Sequence, residues 1–126
     1  MLTALIDYES GNLHSALKAF EKISSENSLG SVTITNDPGI ISNADRLVLP
    51  GDGAFPACKA ALEKSEVFEA LKHAVLAKRR PFLGICVGMQ LMAKKGFEFE
   101  PTNGLNWING QVESCLLYTS DAADDT

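Results

Sequence analysis

Four short apolar runs, each closed by turn residues, limit what this chain can fold into more than any other feature. The first is Leu2–Ile6, bounded by the polar turn Tyr8-Glu9-Ser10-Gly11-Asn12. Leu13, Ala16, Leu17, Phe20 and Ile23 then recur at helical spacing, with Asn12 placed to cap that helix. Val32–Thr35 is a β-branched second run, ended by Asn36-Asp37-Pro38-Gly39. Arg46–Leu49 is the third and is closed by Pro50-Gly51-Asp52-Gly53, with a short helix predicted after Pro56. Val67, Phe68, Leu71, Ala74 and Val75 mark a further helix, with Ser65 as its cap and Pro81 as its stop. Glu66 and Glu69 suit its positive end, and Lys78, Arg79 and Arg80 its negative end. Phe82–Ile85 is the fourth run, followed by a predicted helix over Val87–Lys95. Short apolar strands alternating with amphipathic helices predict an α/β fold: an open, mostly parallel, flavodoxin-like sheet with helices on both faces. Ligands in such folds gather at the carboxyl ends of the strands. After Lys95 the pattern weakens around Gly96, Pro101, Gly104 and Gly110, with one more strand expected near Gln111–Glu113.

At 126 residues, 45% of them hydrophobic and 21% charged, the chain has the balance of one ordinary globular domain. The net charge of −5 argues against nucleic-acid or anionic-membrane partners, since a phosphate-reading face needs a basic excess. Asp121, Asp124 and Asp125 account for −3 of it, leaving −2 for residues 1–114. No apolar run approaches the ~20 residues that span a bilayer, and no basic segment precedes Leu2–Ile6 as in a signal peptide. Cys58, Cys86 and Cys115 form neither an even disulfide set nor a CxxC metal pattern. They read as free thiols in a reducing, cytoplasmic compartment.

The chemistry concentrates in Gly84-Ile85-Cys86-Val87-Gly88-Met89-Gln90. A cysteine flanked by glycines at −2 and +2, where a strand meets a helix, is the thiol analogue of the G-x-S-x-G nucleophile elbow. The sharp turn forces the nucleophile into strained backbone, and small neighbours let strand and helix approach. A helix N-terminus beneath the sulfur favours negative charge there, and its free N–H groups, beginning with Val87, can hold an oxyanion. Most lone cysteines are small core hydrophobes, which is the reading for Cys58 on its Ala-rich helix. Pro50-Gly51-Asp52-Gly53 falls at the same rim as Cys86, either as a second oxyanion donor or as an ordinary turn. Gly11 alone is far short of a phosphate-binding loop, so turn plus helix cap is preferred there. A cysteine nucleophile needs a histidine base oriented by a carboxylate. Neither His14 nor His73 is assigned that role.

These motifs resemble those of class I, triad-type glutamine amidotransferases. Within that family, Ile6–Leu13, Leu47–Phe55 and Gly104–Ile108 resemble the glutaminase subunits of imidazole glycerol phosphate synthase. The likeness runs from about Leu2 to Glu113. It implies that Cys86 attacks the side-chain amide of glutamine, forming a γ-glutamyl thioester and releasing ammonia. Gly51, Asp52 and Val87 would give oxyanion and substrate contacts through backbone N–H groups, and Gln90 would help hold the glutamine. Ammonia would pass to a barrel-shaped cyclase subunit in a heterodimer that serves histidine biosynthesis. No metal or organic cofactor is implied. Alternatives are another class I amidotransferase subunit, of the anthranilate or aminodeoxychorismate type, and a non-catalytic flavodoxin-like binding module.

The family's histidine and glutamate come from a downstream His-Pro-Glu segment, and this sequence contains none. The expectation is a partial amidotransferase domain over residues 1–114, truncated before its C-terminal strands and inactive alone. Residues 115–126 resemble the translation of a sequencing-library adapter and are expected to be a non-native tail.

Overall fold

A computed structural model describes residues 1–10 and 12–114; Gly11 and the expected tail at 115–126 lie outside the described residues. Strands β1 (Leu2–Ile6), β2 (Ser31–Thr35), β3 (Arg46–Leu49) and β4 (Phe82–Gly84) form a four-stranded sheet in the order β2-β1-β3-β4, every pair parallel. The four apolar runs are these four strands. The crossovers carry α1 (Leu13–Glu26), α2 (Pro38–Asn43), α3 (Phe55–Lys64) and α4 (Phe68–Lys72), the last continued by a π-helical turn at His73–Ala77. α5 (Val87–Gln90) follows β4.

Alternation along the strands sorts their side chains. Ala4 and Ile6 of β1, with Leu47 and Leu49 of β3, pack with Ile41, Phe55, Leu62 and Leu71 into the main core. Thr3, Leu5 and Val48 take the opposite face, where Phe20 of α1 joins them. That face is only partly covered. An apolar groove of about 200 Å³ runs between Phe20 and Leu83, and Leu83 on the edge strand β4 stays 49% exposed.

Local chemistry accounts for most helix ends. Asn12 caps α1 as expected, accepting from the Ser15 N–H at 3.3 Å. The turn after β2 becomes a helix that sequence reading did not place: Asp37 accepts from the Gly39 N–H at 2.8 Å, and Pro38 fits the first turn. Ser65 is not the cap of α4. It closes α3 instead, its hydroxyl and N–H both donating to the Leu62 carbonyl at 2.6 and 3.1 Å.

The helix expected over Val87–Lys95 stops at Gln90. Beyond it, β5 (Ala93–Gly96) pairs antiparallel with β6 (Thr102–Asn103) and parallel with β7 (Ile108–Val112) in a separate three-stranded sheet. Tertiary pairing overrides helix propensity here. Leu105 N–H donates to the Leu91 carbonyl at 2.7 Å, and Trp107 and Ile108 N–H both donate to that of Met92 at 2.9 Å. Carbonyls that would have continued the helix are thus taken by a later segment. The strand expected near Gln111–Glu113 is present as β7. Trp107 packs edge-on against Phe82 at 5.4 Å between ring centroids, joining the small sheet to β4.

Candidate active site

Cys86 sits between β4 and α5 with φ +55° and ψ −123°, a backbone region that a side chain makes costly. It is exposed. Its carbonyl accepts from the Met89 and Gln90 N–H groups at 3.0 and 3.1 Å, which turns the chain sharply into α5. The flanking glycines are needed for steric reasons. A Cβ on Gly84 would lie 2.7 Å from Met89 Cα, and one on Gly88 would run into the Leu49 carbonyl and lie 3.1 Å from the Pro50 carbonyl carbon. Strand and helix therefore meet in backbone contact, and the thiol is carried at the tip of the bend. α5 is a single turn, shorter than expected, so the local N–H groups matter more than a long helix dipole.

The Pro50–Gly53 loop lies against this bend, as its position after β3 predicts. A Cβ on Gly51 would stand 2.6 Å from Gly88 N and 3.0 Å from Val87 Cβ, so only glycine lets the two segments touch. Among the described residues, the N–H groups of Gly51 and Val87 meet no protein acceptor. The Asp52 N–H differs, donating to the Ser10 hydroxyl at 3.2 Å. Of the three backbone donors expected at this site, two are free and one is occupied. Gln90 ends α5, half-buried, one turn beyond the cysteine.

Sequence reasoning missed the group that holds this loop. Tyr8 is 2% exposed, and its hydroxyl donates to the Pro50 carbonyl at 2.6 Å. Burial pushes its phenol up to about 12. Ser10 Oγ stands 3.1 Å from the Asp52 carbonyl and 3.1 Å from Cys58 Sγ. Cys58 is buried on α3 as expected, but its thiol also reaches the Asp52 carbonyl at 3.4 Å. The available signal was period-2 alternation: Ala4, Ile6 and Tyr8 share one face, so Tyr8 continues the buried side of β1 past the strand end.

His14 and His73 are both exposed, on α1 and on the π-helical turn. Among the described residues no group of three or more His, Cys, Asp or Glu could hold a metal ion. A polar cavity of about 500 Å³ opens further along the rim, between Asp7, Glu9, Asn36, Lys64 and Glu66, and does not include Cys86.

A parallel α/β sheet that carries a cysteine at φ +55° between two glycines at a strand–helix bend has the backbone geometry of a nucleophile elbow, with a thiol at its tip. The chain belongs to the class-I glutamine amidotransferase family, whose model matches residues 4–98. It is 59% identical over 113 residues to the imidazole glycerol phosphate synthase subunit HisH of Ruegeria pomeroyi, covering 89% of this chain and 53% of that relative. The HisH subunit of Caulobacter vibrioides is 50% identical over 111 residues, 87% of this chain and 52% of the relative. That of Brucella abortus is 49% identical over 125 residues, 98% and 57% respectively. The chain spans about half the length of the curated relatives it matches.

Proposed function

We propose that this chain is the nucleophile-bearing part of a glutaminase subunit that feeds ammonia to the cyclase subunit of imidazole glycerol phosphate synthase. The observation that carries the reading is the backbone of Cys86, a side-chain-bearing residue held at φ +55° between two glycines that no larger residue can replace. High identity to HisH subunits supports the particular pairing. The sulfur attacks the δ-carbon of glutamine, the carbonyl π-bond opens to an oxyanion, and the C–N bond then breaks. The thiol proton leaves with the amine as ammonia, and water cleaves the thioester to glutamate. Gly51 and Val87 donate N–H groups to the oxyanion. Gln90 helps hold the substrate, while the Asp52 N–H, donated to the Ser10 hydroxyl, is left out of the oxyanion contacts. The reaction calls on no metal or organic cofactor.

The partner is a cyclase subunit in a heterodimer, and the setting is cytoplasmic. Neither nucleic acid nor membrane is engaged. No helix among the described residues is long and apolar enough to cross a membrane. The domain portion is residues 1–114, with 115–126 a foreign tail. The match to the Ruegeria pomeroyi subunit, over 113 residues, fits that boundary. The match to the Brucella abortus subunit, over 125 residues, counts the other way. Reading the source gene past codon 114 from long genomic clones decides it, since an intact frame encoding the tail defeats the boundary.

The functional reading is tested by labelling Cys86 in the purified chain with a glutamine-shaped electrophile, followed by mass spectrometry. Saturable labelling that glutamine protects against supports it. Labelling no faster than by a simple alkylating agent overturns it in favour of a binding module.

A further inference from the structure

We draw no further inference here: the strongest candidate, the polar cavity of about 500 Å³ at the carboxyl ends of β1 and β2 between Asp7, Glu9, Asn36, Lys64 and Glu66, is an open cluster of mainly acidic side chains at which nothing in the structure points to a ligand.

Discussion

A methyl group added at Gly88 would meet the backbone of Leu49, and strand β3 cannot yield without breaking its pairing. Gly88→Ala is therefore expected to cost about 2–4 kcal/mol, measured by urea unfolding. Cys86 carries the opposite strain. Because its φ of +55° suits glycine, Cys86→Gly is expected to raise stability by about 1 kcal/mol while removing all labelling by the glutamine analogue. Cys86→Ala, which keeps a Cβ, should abolish labelling without that gain. Tyr8 has a different signature. Its phenol is pushed from 10.0 up to about 12 by burial, so the folded state holds the proton more tightly than the unfolded chain. Its contribution is complete below pH 10 and is lost as pH rises toward 12, at about 1.4 kcal/mol per unit. Urea titrations at pH 9 and pH 11 should show a steeper loss for the parent chain than for Tyr8→Phe. Equal losses would mean that the phenol ionises freely in the fold.

At the scale of elements, the β5–β6 connection and β6 hold α3 at its N-terminus and at its middle. The Glu98 carboxylate accepts from the Phe55 N–H at 2.9 Å, capping a helix whose own N-cap residue, Ala54, has no side-chain oxygen. Lys59 donates to the Asn103 carbonyl at 2.9 Å and pairs with Glu63 at 3.3 Å. Glu98→Ala is expected to cost about 1 kcal/mol, the usual worth of a helix cap, and the unfolding midpoint in urea measures it. A change under about 0.2 kcal/mol would show that water caps α3 equally well. Neither contact was legible in sequence. Glu98 lies 43 positions from Phe55 and is not at a capping-box spacing, so only the docking of β5 brings it near. The same docking explains why the helix read over Val87–Lys95 ends early: period and propensity pointed to a helix, and hydrogen bonds from Leu105–Ile108 took its carbonyls.

At the scale of the molecule, the sheet is covered on one face by α2, α3 and α4 and on the other mainly by α1, which leaves Leu83 and an apolar groove beside β4, an edge strand that pairs with β3 alone among the described residues. An open edge next to apolar surface invites self-association. Leu83→Lys is expected to reduce aggregation of the purified chain, read by light scattering, and to shift stability by less than about 0.5 kcal/mol. Glutamine hydrolysis by the 1–126 chain is expected to be near zero, because both of its histidines sit exposed on helical segments and neither was assignable as a base. Turnover comparable to a full-length relative would show that the base is present here after all.

By itself the sequence determined the four parallel strands, the Asn12 cap, burial of Cys58 and the bend at Gly84–Gly88. Each of these is written in local spacing: alternation, a capping side chain, or two glycines around a thiol. Tertiary structure alone decided that the Asp52 N–H beside Cys86 is taken by Ser10 and the Pro50 carbonyl by Tyr8, since both depend on a loop 42 residues away. It also decided where α5 ends, because hydrogen bonds between distant segments outweigh the fraction of a kcal/mol per residue by which a sequence prefers one local conformation.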